Sequence, residues 1–410
     1  MFVYLNANNV SMKLHTPYPY ALLKHGLPQS YPSLARDIET DVAVMGAGIT
    51  GALVSWYLSQ AGVPCVVVDK RHVATGSTAA STSLIQYEID TPLCALAKRI
   101  GIAAAVKSYH LCREAIYELE RLSAEEALHC CFERRSSLQY ASYKKDVADL
   151  QEEYKARKEA GFPLSFLNAA DLRDSFGLAK PAALYTDEAA QLDAYLLTYK
   201  LLQHVQGSGS AVYDHTAIEH IEYTRSGVVL HTGDGCRIKA RRLVIACGYE
   251  SQRYVPQPVE TLYTTYALIS EPVPHGQSWP EKALIWETAH PYLYMRTTDE
   301  HRILVGGKDT LYNQRTGFDL LPRKTAALKS TFEKLFPYLK LKIDFAWAGV
   351  FGSTKDGLPY IGSIPERPHT YFALGYGGNG ITFSVLAAQI IRDAIKGRKN
   401  ENSSLFSFSR

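Results

Sequence analysis

Asp41-Val-Ala-Val-Met45-Gly46-Ala-Gly48-Ile-Thr-Gly51 is the stretch on which the fold turns, and Pro64-Cys-Val-Val-Val-Asp69 completes it. A short apolar run ends in glycine, a helical stretch continues to Ala61, and a second apolar run ends in an acid. That order predicts β-α-β with a buried, parallel-type strand on each side. The glycines at 46, 48 and 51 fit G-x-G-x-x-G, a spacing that is weak alone and informative directly after a strand and before a helix. Gly46 permits the tight turn, Gly48 lets a pyrophosphate approach the backbone, and Gly51 lets helix and strand pack closely. The pyrophosphate then lies on the N–H groups and positive end of the helix that opens at Ile49 and Thr50. Asp69 stands where it accepts a hydrogen bond from a ribose 2′-OH, which disfavours a 2′-phosphate. The bland alternative is a ligand-free strand-to-helix turn; the full context argues for an adenine dinucleotide.

The residues beyond Asp69 indicate the kind of dinucleotide. After Asp69, Lys70 and Arg71 comes a run of small and hydroxyl residues, Gly76, Ser77, Thr78, Ala79, Ala80, Ser81 and Thr82, where the chain can pass under a large flat cofactor. A nicotinamide domain has no need of it, so a flavin is expected. Near the C-terminus a strand, Tyr371-Phe-Ala-Leu374, leads into a second glycine-rich helix start that includes Gly378, Asn379, Gly380, Ile381 and Thr382. Its backbone donors suit another electron-rich group, such as a flavin carbonyl.

Composition narrows the function class. The 410 residues are 46% hydrophobic and 21% charged with a formal net charge of +3 and no long charge blocks. Ample core material and no basic footprint argue for a small-molecule substrate and against nucleic acid. The seven cysteines include no C-x-x-C pair, so free thiols are expected. No secretory signal is visible, and the apolar run Val42–Leu58 is broken by three glycines and shorter than a bilayer span of about 20 residues. A cytoplasmic enzyme without a transmembrane segment is therefore expected. No Ser/His/Asp set, H-E-x-x-H or P-loop offers another reaction class.

Along the chain, residues 1–38 carry four prolines and read as an extended leader. Helical periodicity over 95–123 and 144–160 predicts two amphipathic helices, Asp234-Gly235 predicts a hairpin, and 259–310 alternates as an antiparallel sheet does. Arg242-Leu-Val-Ile-Ala-Cys-Gly248 reads as another buried strand, ending at Cys247 and Gly248.

Taken together, VAVMGAGITGALVSWYLSQAGVPCVVVDK (42–70), GSTAASTS (76–83), RRLVIACGYES (241–251), YLYMRTTDEHRILVGGKDT (292–310), DGLPYIG (356–362) and GYGGNGIT (375–382) resemble the D-amino-acid oxidase-like, or glycine and sarcosine oxidase-like, family of FAD-dependent oxidoreductases. The resemblance runs from Asp41 to Lys396. It implies an α/β fold: a Rossmann-type FAD-binding domain, discontinuous over 39–90, 190–255 and 345–400, with a second, antiparallel-sheet substrate domain from 256–344 and a helical insertion with strands over 91–189. It puts Ile218 near the adenine, and Cys247 and Gly248 beside the cofactor. Some members attach flavin through a cysteine near the segment matching 349–355, which has none here, so non-covalent FAD is implied. Tyr292, Tyr294, Arg296 and Lys355 are the implied candidates for holding a substrate carboxylate. Lys308, after two glycines, falls near where some oxidases keep a lysine to assist oxygen. The implied reaction oxidises a small amine or amino acid by hydride transfer to flavin N5, giving an imine that hydrolyses, with reoxidation by oxygen or an electron carrier. The alternatives are an FAD dehydrogenase of a 2-hydroxy acid or polyol, and a flavin-bound electron-relay or structural protein.

Overall fold

A computed structural model describes residues 12–125, 128–274, 276–314 and 316–410. The central strand of the first sheet is Ile38–Met45, with Cys65–Val68 in parallel on one side and Arg237–Ile245 in parallel on the other. Beyond these lie Ala211–Tyr213 at one edge and Thr370–Leu374 then Tyr360–Gly362 at the other. Successive residues of the central strands enter different cores. Val42, Val44 and Val67 pack with the helices Ile49–Gln60, Ala194–Gly207 and Gly380–Ile395. Ala43, Met45, Val66 and Val68 pack on the other face with Val228, Leu230 and Ile238. Burial on both faces is why these strands read as continuous apolar runs. The expected hairpin forms between Val228–Thr232 and Arg237–Ile245, with Gly235 at φ +83° in its turn.

The second sheet runs in the order Ile343–Thr354, Glu260–Ser270, Ile303–Leu311, Leu293–Thr297, Leu284–Glu287, Glu133–Tyr140, Ala182–Gln191 and Leu84–Gln86, with Ser165–Asn168 added beside Ala182–Gln191. Its pairings are antiparallel except Leu284–Glu287 against Glu133–Tyr140, which is parallel. Alternation sends Tyr266 and Leu268 to one face and Ala267 and Ile269 to the other.

Several expectations are corrected. Residues 343–354 and 84–86 belong to the second sheet, so the expected boundaries at 345 and 90 cut across it. The periodic stretch 95–123 is two helices, Leu93–Ile100 and Ile102–Ser123, because Gly101 at φ +86° breaks it. The leader, of which residues 1–11 lie outside the described residues, contains a helix, Tyr20–His25. Its preceding residues pair with the edge strand of the second sheet: Thr16 N–H donates to Ala348 O at 3.0 Å and Val350 N–H to Leu14 O at 2.8 Å. An otherwise open edge is thereby covered. His15 Nε2 lies 2.7 Å from the Thr75 carbonyl, tying this strap to the first sheet's side. All seven cysteines are free.

Candidate active site

The carboxyl ends of Ile38–Met45 and Cys65–Val68 open into a cavity of about 750 Å³ that continues to the second sheet. Ligands favour this place in an open α/β sheet, outside the strand ends. Gly46 has φ +106°, and a Cβ there would meet Ala246 O at 2.4 Å. A Cβ on Gly51 would sit 1.8 Å from Gly46 O, so helix and turn pack with nothing between them. Gly48 differs from both: its missing side chain faces only the Thr78 hydroxyl, 3.0 Å away, and the residue lines the cavity. The helix behind it has no side-chain cap and no acid in its first turn, which leaves its positive end to a ligand.

Two further pieces converge there. Ser77–Ala80 forms a short 3-10 turn pinned to the helix start by the Ile49 N–H, which donates to Thr78 Oγ1 at 3.0 Å. Gly76, Ser77, Thr78, Ala80, Ser81 and Thr82 line the cavity; Ala79 does not, being packed in the core at 1% exposure. The second uncapped helix start, Gly380–Ile395, lies beside the first, with Thr50 and Ser384 hydroxyls 2.8 Å apart. Gly378, Asn379, Gly380, Ile381 and Thr382 line the cavity, as do Ile218, Cys247 and Gly248. The Asn379 amide faces away from a ligand role: it donates to the carbonyls of Gln86 (3.2 Å) and Glu88 (2.9 Å).

Charges at this end are mutually satisfied. Asp69 accepts the Ala47 N–H at 2.8 Å and the Arg71 N–H at 2.9 Å, while burial pushes its carboxyl above the ordinary range. Lys70 and Arg71 line the cavity and bond Glu250 there, at 2.7 and 3.0 Å. Burial acts to raise the Glu250 carboxyl, yet the two cations hold it below its usual value. Glu250 is not among the residues the sequence reading picks out; it stands in the short 3-10 helix Gly248–Tyr254 that follows the strand Arg237–Ile245.

At the second sheet, Tyr292 and Tyr294 line the cavity with ring centroids 5.8 Å apart. Burial pushes the Tyr294 hydroxyl up to about 12. The three expected cations are not in the cavity lining with them. Arg296 turns away, its Nε donating to Thr82 O at 2.6 Å, and burial lowers it to about 10; it braces the cofactor segment from behind. Lys355 is exposed, in a loop whose carbonyl accepts from Arg99 at 2.9 Å. Lys308 is outside the lining, at φ +59°, with its carbonyl bonded by Lys324 at 2.6 Å. The glycines before it serve the tyrosines instead. A Cβ on Gly306 would lie 2.4 Å from the Tyr294 ring, and one on Gly307 2.0 Å from Tyr292 O.

Sequence reasoning also passed over Glu88, Asp90, Tyr249, Tyr376 and Trp347, all in the lining. Asp90 accepts the Gly378 N–H at 2.6 Å, and Trp347 donates from the second sheet to Ala80 O at 3.0 Å. Tyr376 sits among the C-terminal glycines, where the motif gave a signal that was not used.

This geometry agrees with a comparison to known families: residues 41–394 match the FAD dependent oxidoreductase (DAO) family. The chain belongs to this family. It is 24% identical over 377 residues to gamma-glutamylputrescine oxidoreductase of Escherichia coli, covering 90% of this chain and 86% of that protein. It is 25% identical over 388 residues to glycine oxidase of Geobacillus kaustophilus, covering 90% and 96%. The crystal structure of glycine oxidase from that organism superposes with a TM-score of 0.73 at 22% identity, over 91% of this chain and 99% of that one. FAD is thus the cofactor, and the cavity fits it: two uncapped helix starts face it, Gly48 leaves an open cradle, and the buried Ser77 Oγ has no partner among the described residues. This FAD-dependent oxidoreductase has, among its described residues, no helix long and apolar enough to cross a membrane.

Proposed function

We propose that this enzyme oxidises a small amine or amino acid, with Gly46–Gly51, Asp69, Gly76–Thr82 and Gly378–Thr382 holding FAD and Tyr292 and Tyr294 bounding the substrate. The observation that carries the reading is the continuity of one cavity from the Gly48 cradle to the tyrosine strand. Bound FAD supplies the two-electron acceptor that oxidation of a carbon–nitrogen bond requires. The chain's own task is orientation and exclusion of water. The two tyrosine rings give an apolar wall with hydroxyls kept protonated by burial, so they offer hydrogen bonds without charge. Gly306 lets the neighbouring strand close against the Tyr294 ring, and Gly307 lets it close against the Tyr292 backbone. The named relatives act on a glutamylated diamine and on glycine, which supports the amine or amino-acid class.

The segments 39–90, 190–255 and 345–400 supply most of the FAD site in this reading, and oxygen or an electron carrier takes the electrons afterwards. The purified yellow protein, mixed anaerobically with a panel of amines, amino acids and hydroxy acids, is expected to bleach with at least one amine or amino acid and to yield the matching carbonyl product. Bleaching by hydroxy acids alone would replace this reading.

A further inference from the structure

Away from the fingerprint end, the cavity wall carries seven carboxylates: Glu88, Asp90, Glu287 and four between residues 146 and 153. Among the described residues only Lys98 and Arg157 bring permanent positive charge to that part of the wall, and Lys98 is exposed. Most of the buried acids have protein partners. Glu287 accepts from Tyr140, Ser142 and the Leu293 N–H, at 3.1, 2.9 and 3.0 Å. Glu153 accepts the N–H groups of Leu93 and Cys94 and the Arg157 Nε, at 2.8, 2.9 and 2.7 Å. Glu88 is the exception. It is 6% exposed, its nearest cation is an Arg157 nitrogen 3.7 Å from Oε1, Ser137 is the one side-chain hydroxyl at its carboxyl, and its Oε2 has no hydrogen-bond partner within reach among the described residues.

With the one guanidinium already committed to Glu153, an ionised Glu88 would be left one positive charge short. Burial accordingly pushes the Glu88 carboxyl up, the response of an acid that lacks its counter-ion. A substrate carboxylate brought to this wall meets like charge, and the cations expected to receive it, Arg296 and Lys355, lie outside the lining. An ammonium group supplies what is missing: a positive charge and N–H donors for Glu88 Oε2.

Resting on the amine reading above, we propose that Glu88 is the subsite for a second, non-reacting ammonium of the substrate. The substrate class is then a diamine or polyamine cation, not a simple amino acid. Asp90 and the carboxylates from 146 to 153 draw such a cation inward and repel anions.

The test is anaerobic calorimetric titration of the FAD-loaded protein with 1,4-diaminobutane, n-butylamine and glycine. The diamine is expected to bind at least tenfold more tightly than n-butylamine, with glycine weakest. In Glu88→Gln the diamine advantage should vanish while n-butylamine affinity stays within about twofold. Equal affinity of the two amines for the unmodified protein, or a diamine preference that survives in Glu88→Gln with normal FAD content, overturns the proposal. If Glu88→Gln fails to fold, the unmodified protein's three affinities decide alone. Bleaching by glycine without diamine binding would leave the amine or amino-acid reading intact and remove this one; bleaching by no amine would remove that reading, and the calorimetric preference would still decide the subsite.

Discussion

The two ends of the cavity handle charge in opposite ways. At the fingerprint end, Asp69 receives two backbone N–H groups, and Lys70 and Arg71 close on Glu250, so protein groups answer one another. At the far end, Glu88 and Glu153 share one arginine and Glu88 Oε2 has no hydrogen-bond partner among the described residues. The first arrangement is a preorganised cradle whose remaining capacity lies in helix ends and an open glycine. The second leaves Glu88 without a counter-ion of its own. In the proposed reading the first is finished in advance for a resident cofactor, and the second is completed by the ammonium of the substrate.

The sharpest way to break this contrast is to separate packing from cradle within the fingerprint. Gly51→Ala places a methyl group 1.8 Å from Gly46 O and is expected to cost about 3 kcal/mol or more of stability, seen as a collapse of Tm. Gly48→Val, with a protein neighbour only at 3.0 Å and φ of −80°, is expected to fold and to lose FAD. A folded Gly48→Val protein with normal FAD content would mean the open cradle is not where the pyrophosphate lies. Asp69→Ala comes next. Loss of one charge-assisted bond to the ribose should weaken FAD by about 2 kcal/mol, roughly thirtyfold, measured by flavin fluorescence titration.

Glu260 sharpens the contrast from outside the cavity. Neither of its carboxyl oxygens has a partner among the described residues, and burial raises it from an ordinary 4.5 to about 8. Between those two values the folded protein holds a proton that the unfolded chain has released, so this group's contribution falls as pH rises through the window and levels above it. Glu260→Gln lacks that slope, and its Tm should gain on the unmodified protein between pH 5 and pH 8. A constant gap over that range would show that Glu260 is ionised throughout. The smallest effects belong to the three cations outside the lining, Arg296 and Lys355, expected at a substrate carboxylate, and Lys308, expected to assist oxygen. Arg296→Met should weaken FAD retention by about 1 kcal/mol through the lost Thr82 bond and leave substrate KM unchanged. Lys308→Met should leave reoxidation by oxygen, and Lys355→Met turnover, within about twofold of the original rates. A selective loss of oxygen reactivity in Lys308→Met would restore that lysine to the site.

The cradle was legible in the sequence because its parts are local. Gly46, Gly48, Gly51 and Asp69 lie within one β-α-β unit, and each glycine answers a steric demand that the turn itself imposes. Both sheets were also legible in outline, from continuous apolar runs in one and alternation in the other. The far end was not. Glu88 meets Arg157 and Glu153 only because the helix Val147–Glu159 packs beside the residues leading to Leu93–Ile100, a contact that no spacing announces. The tyrosine strand shows the opposite error. Tyr292, Tyr294 and Arg296 share one alternation, but the arginine's longer side chain reaches a carbonyl behind the wall. Lys308 stands at φ +59°, where the strand's alternation gives no guide to direction.

The account rests above all on one FAD held without a covalent bond in the Gly48 cradle. Acid precipitation of the purified protein, with absorbance read in supernatant and pellet, tests this most directly. About one equivalent of intact FAD per chain should appear in the supernatant, and the pellet should be colourless. Yellow colour retained in the pellet would contradict non-covalent binding, and a released nicotinamide dinucleotide with no flavin would contradict the assignment of the site.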